Sequence, residues 1–551
     1  MAGTGILETA LTGLFASQRW LATTSQNISN VNTEGYSRQQ VELSARPPQF
    51  TGAGYIGQGV NVVNITRSYD QFINQQLNSS TSAFAESDYL AGMASQVDTL
   101  VGNNDSGLPV TLKSFFSAVN DVANDPTSLA ARQAMLGQAG SLAQQFNDMA
   151  SSFDGLRDQT NKQMQATLDD INTYAQSIAD LNVKITAEFG RTGGMQMPND
   201  LLDQRDALIT KIAEKINVSA LNMDDGSVNL IIGKGQSLVS NASAATLSLA
   251  GSTFDNSYKD IVINGQPITQ SITGGELSGE LKFRDQILDP AQQQLGVLAA
   301  ALSVQFNAIH NSGFDLNGAP GQDLFALGGT GMNVPVTVNP GLPGGGSIAA
   351  TYDPANTANL NPSDYRLDYD GTNYTLTRLS DKQAINIAGF PGSPVNVEGM
   401  TISLSTPPTG ASSFLIRPAF YAAENLKINI GDPEEIAAAG NGASVPGDNT
   451  NALKLANLEQ QPILSGGRST LSSAYGQLVS QVGTSTQSAK TSQSAQQVLL
   501  NQAKQTRENL VGVNLDEEAA NLIKFQNAYQ AAAKAISVAN SLFDTLIGAI
   551  R

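Results

Sequence analysis

The 551-residue chain has no cysteine, one histidine and one tryptophan, and only 14% of its residues are charged. Without cysteine there is no disulfide, no thiol nucleophile and no zinc–thiolate centre. That suits an extracellular protein that must not crosslink, although cytosolic proteins are equally free to lack cysteine. The single histidine, His310, rules out a histidine-cluster metal site within one chain. No G-x-S-x-G elbow accompanies it to complete a serine triad, so its expected role is a polar residue where a helix meets a Gly-rich loop. Basic residues are scarce too: 30 Lys and Arg face 48 Asp and Glu, a formal net charge of −18. This disfavours nucleic acid and anionic membranes, which both call for clustered Lys and Arg. No run of about 18 apolar residues occurs, so no helix that inserts in a membrane is expected. Residues 1–20 lack both early Lys/Arg and a continuous apolar core, which is unlike a cleaved secretory signal.

Other reactive-looking stretches also fall short. "DLNGAPGQD" (315–323) places Gly318 fourth and Ala326 twelfth, where a calcium loop needs Gly sixth and Glu twelfth. "GGTG" and "GLPGGG" lack the Lys-Ser/Thr of a phosphate-binding loop. Asp224 and Asp225 sit beside Gly226, as at a hairpin tip. The expectation is a chain with no catalytic residues, no cofactor and no metal.

What the chain does have is helical periodicity at both ends. The length suggests several domains. A first helix is expected over 5–30, with Leu7, Ala10, Leu14, Ser17, Leu21, Thr24, Ile28 and Val31 at alternating three- and four-residue steps, a heptad seam. Trp20 flanks that seam. The helix runs into Asn27, Asn30, Asn32 and Gly35, residue types that tolerate the left-handed conformation ending helices. The last helix begins at "NLDEEAANL", with Asn514 as its cap, Glu517 completing a capping box, and Asp516, Glu517 and Glu518 at the positive end of its dipole. Its seam is Leu522, Phe525, Tyr529, Ala532, Ile536, Ala539, Phe543 and Leu546.

Between the ends the period alternates. Residues 57–68 read as a strand with Val60, Val62 and Asn64 on one face. Residues 69–190 read as helix broken at Asn124-Asp125-Pro126, with a heptad-like run Met164, Leu168, Ile171, Ala175, Ile178, Asn182, Ile185. A helix over 198–216 has Asn199 or Asp200 near its cap. Short strands follow over 217–279, helix over 280–312, and a Gly/Pro-rich β region over 313–440. In that region Tyr365, Leu367 and Tyr369 alternate before Asp370-Gly371, and Tyr374 and Leu376 return. Residues 450–507 are helical again.

The expected fold is mainly α with inserted β domains. The N- and C-terminal helices form a coiled-coil terminal domain (1–40 with 508–551). A helical-bundle body takes 41–216, 280–312 and 450–507. The β-rich outer lobes take 217–279 and 313–440.

"NISNVNTEGYSRQ" resembles the N-terminal signature of bacterial flagellar axial proteins (rod, hook and hook-associated proteins) through Asn27, Asn30, Val31, Asn32, Thr33, Gly35 and Tyr36. "EEAANLIKFQNAYQAAAKAI" (517–536) resembles the matching C-terminal signature. "PNDLLDQRD" (198–206), "NAIHNSGFDLNGAPGQDLF" (307–325), "GVNLDEEAANL" (512–522) and "GVNVVNITRSYDQFI" (59–73) narrow the resemblance to the hook-associated protein 1 family, the first of the two hook–filament junction proteins. The resemblance implies a structural, non-enzymatic subunit. It would leave through the flagellar type III apparatus without a cleaved signal peptide. It would assemble with copies of itself at the distal end of the hook, between the hook protein and the second junction protein. A cytoplasmic export chaperone would bind its C-terminal region, the terminal helices would line an inner tube, and the β domains would face outward. The Asn/Gly/Tyr cluster would then end an inner-tube helix and turn the chain outward.

The seams support assembly independently. Ala, Ser and Thr make weak knobs, and a handful of Leu, Ile and Phe at about 1.5–3 kcal/mol each cannot order some seventy terminal residues at about 1.5 kcal/mol per residue. Neighbouring subunits are expected to supply the remainder. Two other readings stand beside this one: a hook or rod protein, and a secreted glycan-binding or hydrolytic protein housed in the β lobes.

Overall fold

The computed structural model describes residues 2–50, 52, 54–103, 107–328 and 332–550; the side chains of residues 2–4, 546 and 550 lie outside the described set, Leu546 among them. Ten α-helices run through the described residues: α1 (Ala2–Ser29), α2 (Gln71–Val101), α3 (Leu108–Asn124), α4 (Leu129–Arg191), α5 (Asn199–Lys215), α6 (Gly275–Phe283), α7 (Asp289–His310), α8 (Thr450–Asn457), α9 (Leu471–Val511) and α10 (Leu515–Ile550). A short π-helical turn, Arg284–Leu288, joins α6 to α7.

Two antiparallel pairings bring the ends of the sequence together. Helix α9 lies along α2, with the Tyr475 hydroxyl donating to the Val101 carbonyl (2.8 Å) and Thr486 Oγ1 to the Ala94 carbonyl (3.1 Å). Helix α10 lies along α1, with the rings of Trp20 and Phe525 stacked at 4.6 Å. Residues 39–67 form a long hairpin, Gln39–Ala45 against Val60–Arg67. The sequence reading groups this hairpin with the helical body, but it runs back along α1: Arg46 pairs with Glu8 (3.0 Å) and Thr12 Oγ1 accepts from the Val60 amide (3.3 Å). A bulge sets Glu42 against Asn64 and Leu43 against Val62. The extra residue, Val63, breaks the alternation expected for Val60, Val62 and Asn64.

Helix α4 organises the body. Ser128 caps its first turn, accepting from the Ala131 amide at 3.2 Å, and the helix then runs 63 residues without a break. Its first half gives Met135, Leu142, Phe146 and Phe153 to a large core shared with α3, α7, α8 and the outer β lobe. Its second half gives Met164, Leu168, Ile171, Ala175 and Ile178 to a second core shared with α5, α6 and the smaller β lobe. Asn182, in the same run, is fully buried between Ile178 and Ile185 and is satisfied by backbone. Its amide donates to the Val228 carbonyl (2.8 Å) and accepts from the Val228 amide (3.0 Å).

The smaller lobe has a four-stranded sheet (Val218–Asn222, Val228–Ile232, Gln236–Ser240, Ser243–Ala244) and a three-stranded one formed by Leu247–Gly251, Lys259–Ile263 and Gln266–Pro267. Asp225-Gly226 forms the first hairpin tip, with Gly226 at φ +82°. In the outer lobe a five-stranded sheet centres on Tyr365–Tyr369, flanked by Ser412–Ile416 and Tyr374–Arg378. The register from Tyr365 opposite Arg378 to Tyr369 opposite Tyr374 closes on the Asp370–Asn373 loop, and the two tyrosine rings stack at 4.4 Å.

A buried polar hub joins both lobes to the body. The guanidinium groups of Arg157 (α4) and Arg417 (outer lobe) both lie over the Phe420 ring, 5.0 and 4.4 Å from its centroid. Arg417 bonds Asp255 of the smaller lobe at 2.6 Å and Asp364 of the outer lobe at 3.0 Å. Arg157 bonds Asp289 and Gln292 of α7 at 2.7 and 2.6 Å. Burial pushes Asp364 up to about 6, against the pull of Arg417. Arg417→Met would leave Asp364 buried without its cation, so it is expected to cost about 3–5 kcal/mol in urea unfolding. The double variant Arg417→Met/Asp364→Asn should recover part of that loss; a double variant as unstable as the single would show that the pair contributes packing alone.

Candidate assembly interface

The terminal helix pair is half sealed. Ser17 and Thr24 are buried, and Leu7, Ala10, Leu14, Leu21, Ile28 and Val31 are partly buried against α10 and the hairpin. On α10, Leu522, Phe525, Ala532 and Ile536 are partly buried and Ala539 is buried, whereas Tyr529 and Phe543 are exposed. Register explains Phe543. Asn27 faces Glu518 and Trp20 faces Phe525, so Phe543 falls opposite residue 2, where α1 runs out. Outside the seam, Ile6, Leu11 and Phe15 of α1 and Ile523, Val538, Leu542 and Ile547 of α10 are exposed. A pair of helices with apolar side chains on its outer faces as well as its seam is built to be covered.

The signature residues form the joint that fixes this pair to the body. Helix α1 stops at Ser29, and Gly35 takes φ +82°, which only glycine adopts freely. An added Cβ there would lie 3.1 Å from Ala207 Cβ of α5. Asn27 is buried, and its amide acts as a strand edge. Nδ2 donates to the Gln39 carbonyl (3.0 Å), and Oδ1 accepts from the Gln39 amide (2.9 Å) and from the Tyr36 hydroxyl (2.8 Å). Burial, then Asp200, Asp203 and Glu518, push the Tyr36 phenol well above its ordinary range, so it stays a neutral donor. Asn30 bonds locally: Nδ2 donates to the Gln26 carbonyl (3.0 Å), and Thr33 Oγ1 donates to its Oδ1 (3.1 Å). Asn32 is exposed, so the turn is made by Gly35 and the Asn27 amide.

Two stretches distant in sequence converge on this joint. From the α9–α10 connection, the Val511 carbonyl accepts from the Arg38 amide (2.9 Å), Glu518 bonds Arg38 Nε (2.8 Å), and Glu517 bonds Arg38 NH1 (2.9 Å). Asn514 caps α10, accepting from the Asp516 and Glu517 amides at 3.0 and 3.4 Å. The expected capping box does not close, because Glu517 reaches outward to Arg38 instead of back to its cap. From α5, Asp203 accepts from the Ser37 amide (3.0 Å) and from Arg67 (2.7 Å), and Asp206 bonds Arg67 at 2.7 Å. Burial works against the charge of Arg67, and Asp206 and Asp203 outweigh it, holding it above its ordinary value. The α5 N-cap is Pro198, and Asn199 and Asp200, expected near the cap, are the first two residues of the helix. Asn199 donates to the Ile65 carbonyl at 2.7 Å, and Asp200 to Gln39 Nε2 at 3.1 Å stands as an acceptor. Arg38, Arg67, Asp203 and Glu518 do not emerge from periodicity. The sequence signals for them are the family motifs in which they lie, 27–39, 59–73, 198–206 and 512–522, and the acidic run 516–518.

The residues with catalytic or metal potential serve the fold. The His310 imidazole is fully buried, and both its nitrogens are engaged by backbone. Nε2 accepts from the Ala437 amide (2.9 Å), so Nδ1 carries the proton that meets the Gln322 carbonyl (2.6 Å). Asp315 Oδ1 accepts from the Asn317 and Ala319 amides at 2.9 and 2.8 Å, shaping its own loop.

A protein whose two ends close into one helical pair, anchored by a polar joint and carrying β lobes as insertions, is an axial-type structural subunit. Comparison with known families agrees. Residues 94–325 match the flagellar hook-associated protein FlgK helical domain, and 344–418 the flagellar hook-associated protein 1 D2-like domain. Residues 7–36 match the flagella basal body rod protein family, and 505–549 the C-terminal family of the FlgEFG rod proteins. The chain is 32% identical to flagellar hook-associated protein 1 of Salmonella typhimurium over 98% of its own length and 99% of that protein. It is also 32% identical to the Escherichia coli K12 protein of that name, with the same coverage. The structure of the flagellar hook junction protein FlgK from Burkholderia pseudomallei superposes with a TM-score of 0.70 at 24% identity, covering 79% of this chain and 99% of that one, and shows the same fold. The chain belongs to the flagellar hook-associated protein 1 family.

Two outcomes follow from the joint and from His310. Gly35→Val forces a left-handed β-branched residue against Ala207, at about 1–3 kcal/mol of strain. Amide exchange at Gln39 and along α1 should accelerate by an order of magnitude or more while α4 is unaffected; unchanged exchange would make the turn a mere linker. Burial lowers the folded His310 pKa from 6.5 to about 4. The unfolded chain therefore binds the extra proton first, and stability falls as pH drops from about 6.5 to 4, by about 3 kcal/mol in all. Urea midpoints across that range should slope less in His310→Gln.

Proposed function

We propose that the protein is a structural subunit of the bacterial flagellum that joins the hook to the filament, assembling with copies of itself through the α1–α10 pair. The observation that carries this reading is the apolar outer face of that pair, clamped to the body by the Asn27–Arg38–Glu518 joint. Its partners are the hook protein on one side, the second hook–filament junction protein on the other, and its own neighbours. A cytoplasmic chaperone holds the C-terminal region before export through the flagellar type III apparatus, with no signal peptide removed. Absence of catalysis is supported by His310, whose two nitrogens are spent on backbone groups. Against the glycan-binding alternative stand Tyr365, buried in the lobe core, and Tyr369 and Tyr374, stacked on each other.

Leu542→Asp tests the reading. Leu542 is 57% exposed in the monomer, so the melting curve should match the wild type. In an assembly the new charge would have to be desolvated, at several kcal/mol. A strain relying on this variant should swim poorly and release flagellin into the medium. Normal swimming with no released flagellin would exclude the helix pair as the assembly surface.

A further inference from the structure

The hairpin that lies along α1 does not end with the helix. Arg46 is level with Glu8, and the strands Gln49–Phe50 and Tyr55–Ile56 continue past it. Pro47 and Pro48 carry the arm on in the same pairing register to the strand Gln49–Phe50, and four extended residues span about 13 Å, whereas the six residues of α1 before Glu8 span about 9 Å. The tip therefore sits at the free end of the helix pair. It exposes Phe50, Tyr55 and Ile56 at 62%, 75% and 60%, with the rings of Phe50 and Tyr55 touching at 5.3 Å. The twenty residues 47–66 contain no charged side chain, although the chain as a whole carries 78. Aromatic groups held in water on an uncharged hairpin are an interface awaiting its partner.

We propose that this tip seats on the α1–α10 pair of a neighbouring copy of the same chain, at the level of Ile6, Leu542 and Phe543. The inference rests on the self-assembly reading above and names the contact that drives it. Three observations select a second copy. The tip lies level with the distal stretch of the pair, so a neighbour standing at the same height presents that stretch to it. The acceptor surface matches the tip in chemistry: residues 535–550 carry one charge, Asp544, and expose Leu542, Phe543 and Ile547. The tip's own copy leaves both surfaces uncovered. Donor and acceptor are different surfaces of one molecule, so the contact is heterologous. It propagates around a ring or along a helix and does not close into a two-fold dimer.

The absence of native cysteine gives a clean test. Cells would express the full chain with Tyr55→Cys and Leu542→Cys, and isolated flagella would be oxidised and immunoblotted. The expected result is a ladder of dimers, trimers and higher species. Each single-cysteine variant should give no ladder beyond dimer. The variant Phe50→Ser/Tyr55→Ser/Ile56→Ser should keep the wild-type melting curve and raise flagellin in the medium at least tenfold. A motile strain whose flagella contain the double-cysteine chain but give no ladder overturns the tip contact and leaves the function standing. Crosslinking that stops at dimers overturns the heterologous geometry. Isolated flagella that lack the chain altogether overturn the function, and the contact with it.

Discussion

The architecture depends on one buried amide. Asn27 offers a donor and an acceptor at the spacing of a peptide unit, and both meet the backbone of Gln39. Aspartate could not donate to the Gln39 carbonyl, and an apolar residue would strand two backbone groups and the Tyr36 hydroxyl. The same amide also contacts Glu518, which is 2% exposed and would be an uncompensated charge without Asn27 and Arg38. The helix end, the turn, the hairpin and the last helix are thus held by mutually dependent polar groups. Directional bonds of this kind fix an angle, whereas apolar packing alone would let the helix pair slide and roll.

Stability is distributed unevenly along the chain. The core around the first half of α4 is aromatic, with the rings of Phe115, Phe306 and Phe325 at 5.3–5.8 Å from one another, and the core around its second half is aliphatic. The terminal pair has one stacked ring pair and a seam diluted by Ala, Ser and Thr. The difference suits a subunit whose body must hold its shape alone and whose ends gain their remaining contacts from neighbours. The hub at Phe420 plays the corresponding part for the lobes: its arginines are matched by carboxylates from three separate segments, so no lobe moves without exposing a charge.

The sequence made local structure readable and left long-range polar contacts hidden. The heptad at 164–185 marks the buried face of α4, and Asp370-Gly371 marks its hairpin, because periodicity and turn chemistry act within a few residues. Motifs recognisable by family resemblance (27–36, 198–206 and 512–522) turn out to meet in space, but which atoms meet was not legible. Asn27 and Glu518 are 491 positions apart, and no local rule distinguishes a glutamate that completes a capping box from one drawn away to Arg38. The same limit applies to Asn199: it lies next to the Pro198 cap, as expected, but its side chain goes to the hairpin carbonyl of Ile65, 134 positions away.

Helix α4 has a mechanical consequence. At 63 residues it is about 95 Å long, and it belongs to both cores at once. The body thus contains a single rod, with no hinge between the segment that supports the outer lobe and the segment beside the joint. A torque applied at one end arrives at the other as twist in the same rod. A load taken up by the outer lobe therefore reaches the joint along one continuous helix.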